Sequence, residues 1–307
     1  MNGEPETLSA FGRRPATPRR ALEQAAGALS RAGIESARLD AEALLAHVLG
    51  VTRERLYLDY DAPLAADRQE RFLSLIARRC RGEPVAYLTG RREFWSLDFL
   101  VTPAVLVPRP DTELLVETAV GLIGEAPTLE LGFKILELGT GSGAIAVSLA
   151  KEKPAAEIWA TDISPAALEV ARTNASRHGV AHKIHFCAGD LFEAVAYLTG
   201  RRGFFQMIVS NPPYVRSEEF DRLPRDVRDF EPRVALDGGP DGLDFYRRIV
   251  RAGRLYLASS GLVLFEIGED MADEVVRLFT DAGCFTLARV YRDYSGRDRV
   301  VSARKLP

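Results

Sequence analysis

The chain has 307 residues, 40 Lys+Arg against 43 Asp+Glu for a formal charge of −3, with 47% apolar and 27% charged residues. That balance is globular and excludes collagen, coiled coil and wholesale disorder; at roughly 100–200 residues per domain it suggests about two domains. No apolar run approaches the ~18–20 residues of a bilayer span, and no apolar stretch follows the N-terminal arginines as a secretion signal, so a cytoplasmic protein without a membrane partner is expected. Cys80, Cys187 and Cys284 lie far apart without C-x-x-C spacing, which speaks against a disulfide framework and a zinc knuckle.

In chain order, residues 1–18 carry prolines, glycines and scattered charge without periodicity and are expected to be a flexible tail. Residues 19–85 show apolar positions at helical spacing: Leu22, Ala25, Ala26, Leu29; Leu44, Leu45, Val48, Leu49; Phe72, Ile76, Ala77, Cys80. A small helical bundle is predicted, with Ser36 and Thr52 as N-caps, a capping box at Asp67 and Glu70, and a short extra helix from Arg53 to Leu58. Residues 86–110 hold two short extended runs around Phe94, Trp95, Phe99 and Val101 and read as a β-hairpin linker.

From residue 111 to 307 strands alternate with helices. Asp111 and Thr112 are the predicted N-cap pair of the first helix, and apolar strands follow at 135–138, 158–160, 184–186, 207–209 and 262–265. Such alternation builds a mainly parallel sheet covered on both faces. Residues 285–291 and 299–303 are joined by Asp293-Tyr294-Ser295-Gly296 without a helix and predict an antiparallel hairpin at one edge.

The first strand runs into Gly139-Thr140-Gly141-Ser142-Gly143 and then a helix near Ala144. Glycines there permit a tight bend and close approach of a ligand to main-chain N–H groups. Asp162 follows about 20 residues on, at the end of the next strand, where a carboxylate can accept hydrogen bonds from ribose hydroxyls. A nicotinamide dinucleotide and S-adenosylmethionine both suit this turn, and a turn serving packing alone is the plainer alternative. Asp190, after the third strand, either meets an adenine amino group or caps the next helix.

The fourth strand ends in Asn211-Pro212-Pro213-Tyr214, at the carboxyl edge where open α/β sheets place their ligands. Prolines fix φ and restrict the residue before them, so the tract is stiff and rich in acceptors. The Asn211 side-chain oxygen and the Pro212 carbonyl can each accept an N–H of a planar –NH₂ group, with the Tyr214 ring against its flat face. Holding both hydrogens favours positive charge on that nitrogen, so no strong base is needed. The four histidines, His47, His178, His182 and His185, lie away from this tract, and the spacing of His178, His182, His185 and Cys187 fits no standard metal-ligand set.

The sequence resembles the protein-(glutamine-N5) methyltransferases that act on peptide chain release factors, the PrmC/HemK family, over nearly all of the chain beyond the tail. The most specific segments are Gly82-Glu83-Pro84-Val85-Ala86-Tyr87-Leu88-Thr89-Gly90, Arg92-Glu93-Phe94-Trp95, Pro108-Arg109-Pro110-Asp111-Thr112-Glu113, and Glu231-Pro232 running into Ala235-Leu236-Asp237-Gly238-Gly239. The resemblance implies an α/β fold: a Rossmann-like class I S-adenosylmethionine-dependent methyltransferase domain at 111–307, with a seven-stranded sheet, behind an N-terminal substrate-recognition domain at 19–85. It implies methylation of the glutamine in the Gly-Gly-Gln motif of class 1 release factors. S-adenosylmethionine would be held by Gly139, Thr140, Gly141, Ser142, Gly143, Asp162, Asp190, Leu191 and Asn211, with Leu191 beside the adenine. Asn211, Pro212, Pro213 and Tyr214 would hold the glutamine, with Asn211, Pro212 and Tyr214 catalytic. Phe94, Arg109 and Glu113 either shape the pocket or fold the linker, and Gly200-Arg201-Arg202-Gly203 is a slightly longer loop than the family pattern.

A monomer with no metal and no nucleic-acid substrate is expected. The same acceptor tract would also suit an adenine-N6 methyltransferase of nucleic acids, which should carry a basic groove. Arg78, Arg79, Arg81, Arg91 and Arg92 keep that alternative open. A non-catalytic adenosyl-binding protein and a nicotinamide dehydrogenase are the remaining alternatives.

Overall fold

A computed structural model describes residues 17–124, 132–198 and 203–307. The expected tail at 1–18 therefore lies almost wholly outside the described residues, as do three of the four residues of the Gly200–Gly203 loop. The chain divides into two compact units, one of residues 1–90 with Pro224–Phe230, the other Arg91–Leu223 with Glu231–Pro307.

In the first unit, α1 (Pro18–Arg31) begins at Thr17, whose side chain accepts from Arg20 N, with Pro18 in the first turn. It is followed by α2 (Ala37–Leu49), α3 (Arg53–Leu56), α4 (Ala66–Cys80) and α5 (Val85–Thr89). Their apolar stripes close one core around Leu22, Leu29, Leu44, Leu45, Phe72 and Ile76. The segment Pro224–Phe230, which contains α9 (Arg225–Arg228), belongs to this unit. A buried ion pair crosses its interior: Arg79 Nε lies 2.7 Å from Asp40 Oδ2, and Ser36 Oγ donates to Asp40 Oδ1. Two capping expectations differ. Ser36 makes no side-chain cap bond: its ψ of 24° is not the extended backbone of a capping residue, and its hydroxyl is turned toward Asp40. The Asp67–Glu70 capping box does not form; α4 starts two residues earlier, behind Ala65, leaving Asp67 exposed in the first turn, where a carboxylate still meets the positive end of the helix dipole.

The second unit opens with the hairpin β1 (Arg91–Phe94) and β2 (Leu97–Leu100). Trp95 and Ser96 turn it with φ of 53° and 56°, as a two-residue turn with both central residues left-handed requires. Glu113 Oε1 accepts the Trp95 N–H at 2.8 Å, and Asn174, fully buried, pairs with both the N–H and the C=O of Leu100. Then come α6 (Glu113–Gly124), β3 (Lys134–Leu138), α7 (Ala144–Glu152), β4 (Glu157–Asp162), α8 (Pro165–Arg177), β5 (Ile184–Ala188), β6 (Phe205–Ser210), α10 (Asp244–Tyr256), β7 (Leu257–Glu266), α11 (Ala272–Ala282), β8 (Arg289–Arg292) and β9 (Asp298–Arg304).

The sheet order is β5-β4-β3-β6-β7-β9-β8; the first five strands are parallel and β9 runs antiparallel to both neighbours. Alternate residues feed opposite faces. Ile135, Met207, Val209, Leu262, Leu264 and Val300 enter the core shared with α6 and α7, while Leu136, Ile208, Val263, Phe265 and Val301 face α10 and α11. The edge strand is shorter than the expected 285–291: Phe285 makes only an isolated bridge to Lys305, and regular pairing begins at Arg289. Among the described residues no helix is long and apolar enough to cross a membrane.

Candidate active site

The chain visits β3, β4 and β5 in one direction and resumes with β6 on the other side of β3, so the order reverses between β3 and β6. A crevice opens beyond the carboxyl ends of strands at such a reversal. Here it is a cavity of about 250 Å³.

Its floor is the glycine turn. Gly139 N and Thr140 N both donate to Thr161 O, at 2.9 and 2.8 Å, which ties the turn to the end of β4. Gly141 has φ 54°, and its N–H donates to Asp162 Oδ2 at 2.8 Å; Asp162 Oδ1 accepts from Ser164 N at 2.9 Å. Asp162 thus braces the turn while also lining the cavity. Ser164 caps α8 through Ala167 N, with Pro165 following. Gly143 does not line the cavity; it starts α7 with φ 81°, where an added Cβ would stand 3.1 Å from Ala171 Cβ.

Glu137 lies beneath the turn, fully buried, with Oε2 accepting from Thr140 Oγ1 at 2.6 Å and Oε1 without a partner among the described residues. Burial pushes its carboxyl up to about 8 from the usual 4.5. The folded chain therefore holds a proton that the unfolded chain has released, and stability falls as pH rises through that interval, by about 1.4 kcal/mol per unit, before levelling. Glu137→Gln should lower the slope by this one proton's share, while Glu266, which burial pushes up to about 7, keeps its own. Denaturant unfolding at successive pH values reads it directly, and a variant with the wild-type slope would refute the assignment.

The acceptor tract leaves β6 beside the turn, with Ser210 Oγ donating to Leu138 O at 2.7 Å. Asn211 Nδ2 donates to Thr112 Oγ1 at 3.2 Å. Thr112 closes a short 3₁₀ turn, Pro110–Thr112, and its hydroxyl meets Asn211 rather than serving as the expected helix cap. Behind the tract, Val215 N donates to Leu236 O and Gly238 N to Val215 O, so residues 236–238 run along it like a short strand. A Cβ on Gly238 would lie 2.7 Å from both Pro213 O and Tyr214 Cα.

Gly139, Thr140, Gly141, Ser142, Asp162, Asp190, Leu191, Asn211, Pro212 and Pro213 all line the one cavity. Tyr214 does not. Its ring packs against the core on the α10 side, and burial raises its phenol to about 12. Phe94 is buried in the opposite core and Glu113 clasps the hairpin turn, so both belong to the folding of the linker. Arg109 does line the cavity, with Nη2 2.5 Å from the buried Glu231 Oε1. Asp190 is paired with Arg248 Nη2 at 2.6 Å, and Leu191 holds φ 50°. Sequence reasoning passed over Arg248, Asn174 and the role of Thr112; it named Glu231 and Gly238 only as family segments.

The cavity suits S-adenosylmethionine. Asp162 offers a carboxylate for a diol, Ile163, Ala167 and Leu191 offer apolar surface for a flat ring, and the glycine turn exposes main chain where side chains would collide. Both arginines that line it are already neutralised by Glu231 and Asp190, which leaves little positive charge for a pyrophosphate. Fold and cavity define a class I S-adenosylmethionine-dependent methyltransferase.

Residues 20–90 match the family model of the PrmC N-terminal domain and residues 113–223 that of the methyltransferase small domain. The release factor glutamine methyltransferase of Geobacter sulfurreducens is 43% identical over 94% of this chain and 96% of its own length, and that of Moorella thermoacetica 44% over 92% and 96%. The chain belongs to the release factor glutamine methyltransferase family. A crystal structure of the hMettl16 catalytic domain in complex with MAT2A 3′UTR hairpin 6 matches 78% of this chain and 82% of that one, with a TM-score of 0.53 and 13% identity, a likeness of fold alone.

Proposed function

We propose that this protein transfers a methyl group from S-adenosylmethionine to the side-chain amide nitrogen of the glutamine in the Gly-Gly-Gln motif of peptide chain release factors. The observation that carries this reading is family membership across almost the whole chain, with Asn211, Pro212 and Pro213 lining the same cavity as the glycine turn and Asp162. Residues 19–85 would recognise the release factor, residues 86–110 link, and residues 111–307 carry the reaction.

When bound, S-adenosylmethionine supplies an electrophilic methyl group on a sulfonium sulfur. In this reading Asp162 accepts from the ribose hydroxyls, and the turn from Gly139 to Ser142 lies against the rest of the molecule. The Asn211 Oδ1 and the Pro212 carbonyl accept the two hydrogens of the glutamine amide. An amide nitrogen is a poor nucleophile because its lone pair is delocalised; two acceptors stabilise the positive charge that develops on it and fix its direction of attack. Asp162 is braced by two backbone N–H groups and Asp190 is paired with Arg248, so the work falls to orientation rather than to a strong base.

Transfer of a labelled methyl group to purified release factor, beside a Gln→Ala variant of its motif and duplex DNA, tests the reading. Label on the wild-type factor alone is expected; label on DNA or on the Gln→Ala factor would overturn it. Asp162→Ala should weaken S-adenosylhomocysteine binding by about 10–100-fold, the loss of charge-assisted hydrogen bonds worth roughly 1.5–3 kcal/mol. Unchanged affinity in calorimetry would refute the ribose role.

A further inference from the structure

The Asn211 carboxamide serves as an acceptor only if its oxygen faces the substrate, and a carboxamide can turn end for end with little change in shape. Three segments converge on this group. Thr112, 5% exposed, brings Oγ1 to 3.2 Å from Asn211 Nδ2. Glu266, 1% exposed, ends β7; the β6–β7 register pairs Ser210 with Phe265, so Asn211 and Glu266 are the next residues on adjacent strands. The Thr112 side chain also hydrogen-bonds the buried Glu266 carboxyl group, whose Oε2 has no partner among the described residues. The third segment is β9: buried Arg299 holds Asp111 Oδ2 at 3.1 Å and donates to Ile267 O, which pins the Pro110–Thr112 turn to the sheet end.

A hydroxyl has one proton. Thr112 Oγ1 accepts from Asn211 Nδ2, which leaves its proton for Glu266, and an ionised Glu266 that takes this proton leaves Thr112 only lone pairs to offer the –NH₂ end of the carboxamide. We infer that Thr112 is a positioning residue: backed by Glu266, it locks the Asn211 amide with Oδ1 toward the substrate –NH₂. The inference rests on the reading of Asn211 as the substrate acceptor. Without the hydroxyl, the flipped carboxamide would present donors to donors, and half of the oriented ground state would be lost along with the rigidity of the rest.

Thr112→Val keeps the shape and removes the hydroxyl; Thr112→Ser keeps the hydroxyl. Thr112→Val should lower kcat about tenfold, the worth of one lost hydrogen bond, with KM for release factor and affinity for S-adenosylhomocysteine nearly unchanged, and Thr112→Ser should restore kcat to within about twofold. Independently of turnover, the side-chain amide protons of Asn211 should be inequivalent in NMR spectra of the wild type, one shifted by its bond to Thr112, and that shift should vanish in Thr112→Val and return in Thr112→Ser. Wild-type kcat in Thr112→Val, or an Asn211 signal blind to the substitution, overturns the inference while leaving the proposed reaction standing. A wild-type protein that does not methylate release factor, yet shows the Asn211 shift and its loss in Thr112→Val, overturns the proposed reaction and keeps the hydrogen-bond relay.

Discussion

Replacing Asn211 with Ala should lower kcat for methyl transfer by about 10²–10³, the loss typical of one preorganised contact to developing charge. The size follows from where the residue sits. It leaves the buried strand β6 directly into two prolines, so its backbone cannot drift, and its side chain is held by Thr112. A group fixed in this way contributes more in the transition state than in the ground state, so kcat should fall far more than KM rises. Single-turnover rates with saturating release factor check this, and a rate near that of the wild type would remove Asn211 from the chemistry.

Gly238→Ala should be nearly as damaging, for a different reason. Its Cβ would fall 2.7 Å from Pro213 O and from Tyr214 Cα, backbone atoms of the acceptor tract that cannot swing aside. The tract or the 236–238 segment must move, at a cost of about 1–3 kcal/mol in unfolding free energy. A displacement on the order of 1 Å at the acceptors would then cost about 10²-fold in rate. Gly121→Ala is the matching control: its Cβ meets open space on α6, and alanine is the better helix former by roughly 0.5–1 kcal/mol. If Gly238→Ala unfolds and turns over like Gly121→Ala, the packing argument is wrong.

Much of the fold was legible because its signals are local. The strands of the parallel sheet announce themselves as apolar runs, the Gly139–Gly143 turn sits between a strand and a helix, and the proline pair stiffens the exit from β6. What escaped reading depends on partners far away in sequence. Asp190 looks like a free carboxylate until Arg248, 58 residues on, takes it. Asn174 is an ordinary helical asparagine until it binds Leu100, 74 residues back. Thr112 has the spacing of a helix cap, and only the fold brings Asn211 within reach. Tyr214 shows the same dependence: an aromatic beside an acceptor tract suggests stacking on the substrate, and only the fold shows that its partly buried ring packs against the α10-side core.

The segment Pro224–Phe230 gives the molecule an uncommon kind of connectivity. Because it belongs with the helical unit, the backbone passes between the two units three times, after Gly90, after Leu223 and after Phe230, rather than once. The unit recognised as residues 20–90 is therefore not a detachable module. A cut at residue 90 would strip Gly82 of Arg225 and Arg79 of Asp226, and would leave the catalytic piece carrying a stranded loop. Evolution can exchange such a unit for another only by editing the chain in two places, a constraint that ties the inheritance of the helical unit to that of the catalytic one.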